Sequence, residues 1–189
     1  MNTTTDWYSI IIMVKYKNVK SDEIMLAGIS EQSLVNGPGL RKVYFSQGCI
    51  HHCKGCFNPE TWAFSGGKVF NIKDLLKNLE KEAPYLDGIT FSGGDPMEQY
   101  DKFAKIVELT KKFKLNIWSW TGYTWEELLL KAKEDKKFFA YLKSLDVVVD
   151  GRFVLSLKSD DVKYRGSSNQ RIIDVKKSLK ANKIIQIAV

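Results

Sequence analysis

All three cysteines of this 189-residue chain, Cys49, Cys53 and Cys56, fall within one eight-residue stretch, and no fourth lies elsewhere to pair with them. A disulfide framework is thereby excluded, so the fold must be held by a packed apolar core. Composition permits one, since 44% of the residues are apolar and the length suits a single domain. An odd, tightly clustered set of thiols points to metal or redox chemistry in a reducing compartment.

Periodicity shows where that cluster sits. Lys42-Val43-Tyr44-Phe45 is a β-prone run that ends at Ser46-Gln47-Gly48, so the cysteines open a polar loop just past a strand. Asn71 can cap a helix carrying Ile72, Leu75, Leu76 and Leu79 on one face. Gly88 to Phe91 reads as the next strand, followed by the loop Ser92-Gly93-Gly94-Asp95-Pro96. The alternation continues through a helix with Phe103, Ile106, Val107 and Thr110, a strand from Leu115 to Trp118, a capping box at Thr124-Trp125-Glu126-Glu127, and a strand from Asp146 to Val149. Beyond Arg152 the pattern is less regular, with strands expected near Ile172 to Val175 and Ile184 to Ile187.

Strand, loop and helix in repetition predict an α/β fold with a mostly parallel sheet, long enough for a partial (βα) barrel but not for eight units. In such folds the loops at the carboxyl ends of the strands build the site. That rule brings Cys49 to Cys56, Ser92 to Pro96, Thr121-Gly122-Tyr123 and Asp150-Gly151-Arg152 to one face.

The chain carries 29 Lys and Arg against 22 Asp and Glu, a net charge of +7. Its only arginines are Arg41, Arg152, Arg165 and Arg171, and the lysines are scattered through predicted helices. That distribution describes solvated faces rather than a nucleic-acid surface. The longest apolar run, Ile10 to Val14, is far short of the roughly 20 residues a membrane span needs. Asp6 and several Thr stand before it, where a signal peptide would be basic. The expectation is a cytoplasmic protein with no membrane or nucleic-acid partner. Residues 1–26 are read as an N-terminal extension, within which Met13 is a second candidate start, and residues 27–189 as one domain.

Soft thiolates select iron–sulfur clusters, zinc or copper(I). Structural zinc and ordinary electron-transfer clusters are closed by four protein ligands, so three cysteines alone leave a coordination position open. The alternative is zinc completed by His51 or His52, the only histidines. A histidine lying between two cysteine ligands is poorly placed for a tetrahedral cage, and no second CxxC pair exists.

The pattern CxxxCxxC after a first strand, with Gly-Gly-Asp-Pro after the next, resembles the radical S-adenosylmethionine superfamily. The resemblance implies a [4Fe–4S] cluster held by Cys49, Cys53 and Cys56, with S-adenosylmethionine chelating the fourth iron. It further implies that Gly55, Cys56 and Phe57 bind this cofactor near its adenine, and that Gly93, Gly94 and Asp95 hold its methionyl end. Lacking side chains, Gly93 and Gly94 would let backbone carbonyls approach the ligand's amine. Asp150 and Arg152 are further candidates for cofactor or partner contact. The cofactors carry the difficult chemistry, so no side-chain acid, base or nucleophile is assigned.

Four segments are similar to one branch, the activating proteins of class III anaerobic ribonucleoside-triphosphate reductase: Val35 to Arg41, Gly55 to Trp62, Trp120 to Thr124 and Gly166 to Asp174. Asn58-Pro59-Glu60-Thr61-Trp62 is shared with the pyruvate formate-lyase activase, while Gly166-Ser167-Ser168-Asn169-Gln170 narrows the choice to the reductase branch. The implied activity is reductive cleavage of S-adenosylmethionine, with an electron from a flavodoxin-like donor, to place a glycyl radical on the catalytic subunit of the reductase. Activation of another glycyl-radical enzyme, such as pyruvate formate-lyase, is the alternative. Trp118 and Trp120 are expected to be core aromatics.

Overall fold

The computed structural model describes Tyr16 and residues 18–188. Seven strands, β1 (Glu23–Ser33), β2 (Arg41–Ser46), β3 (Lys68–Asn71), β4 (Gly88–Gly93), β5 (Asn116–Trp120), β6 (Val147–Asp150) and β7 (Arg171–Asp174), form one sheet in the order β3-β1-β2-β4-β5-β6-β7. The centre, β2-β4-β5-β6, is parallel throughout. Antiparallel strands flank it, with β1 and β3 on one side and β7 on the other. The fold is therefore the expected α/β class with a parallel central sheet, and the sheet remains open.

Five helices accompany the strands: α1 (Ile72–Glu82), α2 (Tyr100–Thr110), α3 (Trp125–Glu134), α4 (Lys136–Ser144) and α5 (Val175–Ala181). Their starts follow from local chemistry. The Asn71 side chain accepts from Lys73 N–H to open α1, Thr124 and Glu127 form a reciprocal capping box at α3, and Asp135 accepts from Lys137 and Phe138 N–H at α4. Successive side chains of a strand point to opposite faces, and the core divides accordingly. Ile89, Phe91, Ile117 and Val148 pack with the helices in the main core, whereas Trp118, Val147, Val149 and Ile172 form a smaller cluster with Trp120 and Tyr164. The two tryptophans are thus packing residues, as expected.

Strand β1 lay outside the sequence alternation. It begins at Glu23, so the boundary expected between residues 26 and 27 falls inside it, with Met25 and Leu26 buried in the sheet. Residues 1–15 and 17 of the expected extension lie outside the described residues. The expected strand near Ile184 to Ile187 reduces to a single bridge, Ile173 to Gln186. Among the described residues no helix is long and apolar enough to cross a membrane.

At the amino ends of the parallel strands, Arg41 is fully buried. Its guanidinium donates to Thr90 Oγ1 (2.8 Å) and to the carbonyls of Ile89 and Asn116 (2.8 Å each), and lies 5.5 Å from the Trp118 ring. Burial pushes its pKa down to about 10. This plug closes the end of the sheet opposite the cysteines.

Candidate functional site

The cysteines occupy a loop whose neck is tightly closed. Strand β2 ends at Ser46, and the chain leaves and returns through backbone bonds from Gly48 N–H to Thr61 O (2.8 Å) and Cys49 N–H to Trp62 O (3.1 Å). Gln47 clamps the returning arm, its amide donating to the carbonyls of Glu60 (3.1 Å) and Ala63 (2.6 Å). Inside the loop Cys56 N–H donates to Cys53 O (3.0 Å), and Gly55 adopts φ +76°. A side chain at Gly55 would also meet Leu155 at 3.0 Å.

Cys49 is buried, while Cys53 and Cys56 are half-buried, and none forms a disulfide. The N–H of Asn58 donates to Cys56 Sγ at 3.4 Å. A donor there suits sulfur that carries negative charge, as in a ligated thiolate. In the metal-free chain the Cys49 thiol is pushed up to about 12, first by burial and then by the nearby charge of Asp95. Burial also raises Cys53.

The zinc alternative fares poorly on this geometry. His51 Nε2 is bonded to Asp95 Oδ2 at 2.8 Å, and His52 lies stacked on Trp62 with ring centroids 4.8 Å apart. Among the described residues no three His, Cys, Asp or Glu side chains converge as a single bound ion requires.

The Gly-Gly-Asp-Pro loop lies directly behind the cysteine loop. Gly93 pairs with Ser46 at the end of β2 and has φ +93°. Gly94 N–H donates to Ser46 O (2.7 Å), and Asp95 N–H donates to Gly48 O (2.8 Å). A Cβ on Gly94 would meet Gly48 O at 2.5 Å, and one on Gly93 would meet the Ser46 backbone at 2.7 Å. Both glycines thus permit close packing on the neck of the cysteine loop. Asp95 is fully buried, and its carboxylate faces His51, Thr121 and Gly122. The sequence marks His51 and His52 as loop residues able to donate hydrogen bonds to cluster or cofactor; their partners here are instead Asp95 and Trp62.

Phe57 stands 60% exposed beside Cys56, its ring 5.0 Å from Phe153 and beneath Lys158 Nζ. A side chain at Gly166 would press on both phenylalanine rings, at 3.0 and 3.1 Å. The Gly166–Gln170 loop is held by Gln170, whose Oε1 accepts from Gly166 N–H (2.7 Å) and whose Nε2 donates to Gly151 O (2.9 Å). The third loop on this edge contributes Asp150 and Arg152. Asp150 is buried, accepts from Trp125 N–H (2.6 Å) and pairs with Arg171, while Arg152 pairs with Glu127. Asp150, Arg152 and Arg171, with Thr124, Glu126 and Asn169, line a cavity of about 360 Å³. All the site residues expected from the sequence therefore lie along the carboxyl edge of the parallel strands.

Residues 35–173 match the family model of a 4Fe–4S single cluster domain. An anaerobic ribonucleoside-triphosphate reductase-activating protein of Enterobacteria phage T4 is 37% identical over 145 residues, covering 73% of this chain and 86% of the relative. Proteins of the same name from Vibrio cholerae and Escherichia coli are 37% and 35% identical, covering 74% and 72% of this chain and 90% of each relative. Among solved structures, QueE from Escherichia coli aligns with a TM-score of 0.38 at 15% identity, over 54% of this chain and 53% of that one.

Proposed function

The chain belongs to the anaerobic ribonucleoside-triphosphate reductase-activating proteins, and on that premise we propose that it uses S-adenosylmethionine at a [4Fe–4S] cluster to generate a glycyl radical on its reductase. The observation that carries this reading is the placement of three cysteines in one closed-neck loop at the carboxyl edge of the parallel strands, none of them in a disulfide and, among the described residues, with no group of metal-binding side chains completing a single-ion site around them. What the two cofactors supply when bound is one-electron cleavage of the sulfonium and a carbon radical able to take hydrogen from a glycine.

The protein's own residues bind, orient and shield. Cys49, Cys53 and Cys56 hold the cluster. Burial of Cys49 keeps water from the inner side of the site, and the closed neck fixes the loop relative to β2 and β4. Gly93 and Gly94 would present backbone to the methionyl end of S-adenosylmethionine, with Gly55 and Phe57 beside the adenine. Asp95 acts from behind, because its carboxylate is already committed to four donors. The Phe57–Phe153 pair and the Gly166–Gln170 loop form a wall past which the reductase's glycine segment would enter. A flavodoxin-like protein is the proposed electron donor, and a cytoplasmic setting keeps the thiols reduced.

Anaerobic reconstitution with iron and sulfide, followed by dithionite and S-adenosylmethionine, tests the proposal. Formation of 5′-deoxyadenosine is the expected result. Stoichiometric zinc with no cleavage would overturn it.

A further inference from the structure

The segment ahead of β1 is strapped to the helices before it reaches the sheet. Lys20 O accepts from Lys102 Nζ (2.7 Å) and Ser21 O from Lys105 Nζ (2.5 Å), both lysines of α2, and Asp22 O accepts from the first N–H of α1, that of Ile72 (2.9 Å). These ties fix the point from which the upstream chain departs. Tyr16 belongs by sequence to an extension outside the domain, yet it is only 6% exposed.

What Tyr16 is buried against is the neck of the cysteine loop. Its hydroxyl donates to Gln47 O (2.9 Å), in the arm that leaves β2. Its ring meets that of Phe64, in the arm that returns, edge-on at 5.2 Å. Gly48 lies beneath both, since a Cβ there would fall 2.5 Å from the Tyr16 hydroxyl and 2.5 Å from the Phe64 ring. The N–H groups of Gly48 and of the next residue, Cys49, make the two backbone bonds that close the neck. One side chain from outside the loop thus touches both arms where they part, next to the buried thiol.

We propose that Tyr16 is a positioning residue that pins the two arms of the neck together, keeps the Cys49 sulfur from solvent and so slows the loss of iron from the loop. The inference rests on the iron–sulfur reading above. A loop closed by a few backbone bonds opens locally, without unfolding of the sheet, at a free energy set by whatever else joins its arms. Tyr16 adds a hydrogen bond and an aromatic contact at the closure, and both are broken when the arms separate. Because Gln47 also clamps the returning arm through its amide, freeing its carbonyl loosens that clamp as well.

The test follows maleimide labelling of Cys49 by peptide mass spectrometry in the metal-free wild type, Tyr16→Ala, Tyr16→Phe and Leu142→Ala. Leu142 is buried in α4 within the main core, so its truncation lowers global stability without touching the neck. Labelling should be roughly tenfold faster in Tyr16→Ala and roughly threefold faster in Tyr16→Phe, which keeps the ring and leaves Gln99 donating to Gln47 O. Leu142→Ala should label as wild type does. In the reconstituted proteins, without S-adenosylmethionine or reductase, loss of iron to a ferrous chelator should quicken in the same order at a temperature where all remain folded. A wild-type labelling rate in Tyr16→Ala overturns the proposal. Equal acceleration in Leu142→Ala also overturns it, since Tyr16 would then support global stability alone, and so does faster labelling with unchanged iron loss. Should Tyr16→Ala fail to fold, Phe64→Leu takes the ring contact from the opposite arm and should raise Cys49 labelling likewise; a wild-type rate there would refute the pinning. Absence of any [4Fe–4S] cluster in the wild-type protein would instead overturn the functional reading, while labelling of the metal-free chain would still decide whether Tyr16 holds the neck.

Discussion

The three thiols differ in what they ask of a ligand. Cys49 is buried beside a carboxylate, and both push its thiol up to about 12, so on the proposed assignment iron binding there must displace a proton; Cys53 and Cys56 lie nearer the surface. On the proposed assignment Cys53→Ala removes an iron ligand rather than a packing group, so reconstituted protein should lose the cluster, measured as iron per chain. Wild-type iron content in that variant would refute the ligand assignment. Gly94 carries a separate demand. Its substitution by Ala puts a methyl 2.5 Å from Gly48 O and 3.0 Å from Thr61 O, both in the neck of the cysteine loop and both backbone. Gly94→Ala is therefore expected to cost about 1–3 kcal/mol, as overpacking against rigid atoms does. A thermal melt coincident with wild type would contradict this. The clustering of the cysteines was legible from their spacing, whereas Gly93 and Gly94 stood out only through the family resemblance. The partnership of His51 with Asp95 was not, since it joins residues 44 positions apart.

Single polar side chains also join whole elements. Gln99, at the end of a short 3-10 turn after Asp95, accepts from Met25 N–H (3.1 Å) and donates to Met25 O (2.7 Å), Ser46 Oγ (3.0 Å) and Gln47 O (3.1 Å), stitching β1 to the end of β2. Gln99→Leu strands buried backbone groups and should destabilise by about 2–3 kcal/mol in a urea titration. A change within error would show that β1 is held by its apolar face alone. On the other side of the sheet, Arg171 of β7 pairs with Asp150 of β6 and, through both nitrogens of its fork, with Glu126 at the start of α3. That hydrogen bonding holds Glu126 well below the usual carboxylate range, at about 2. A depressed folded pKa means stability that is present above the unfolded value of 4.5 and is lost as pH falls toward 2. Glu126 is 61% exposed, so screening limits the contribution to below about 1 kcal/mol. The stability difference between wild type and Glu126→Gln should shrink as pH drops from 6 to about 3; a constant difference would mean that the pair contributes nothing. At this scale the parallel strands and capped helices were readable from period and cap residues. Strand β1 escaped because its outer half is polar and its partners are antiparallel, and β3 because Lys68–Asn71 is only four residues long.

For the molecule as a whole, the open sheet separates two ends by function. Buried Arg41 closes the amino edge of the parallel strands, and the carboxyl edge gathers the cysteine loop, Gly93–Asp95, Thr121–Tyr123 and Gly151–Arg152. The loop rule for parallel sheets made that convergence predictable before any coordinates were known. How the loops lock together was not predictable, because the locking runs through Asp95, Gln47 and Gln170, polar residues whose partners depend on tertiary packing. The central claim concerns a reaction between two proteins, and it is tested most directly on the partner. The reconstituted protein is mixed anaerobically with its reductase, a reductant and S-adenosylmethionine, and the reductase is then examined by EPR. A glycyl radical signal that needs all four components is the predicted result. A protein that carries its [4Fe–4S] cluster and cleaves S-adenosylmethionine, yet leaves the reductase without a radical, would contradict the claim.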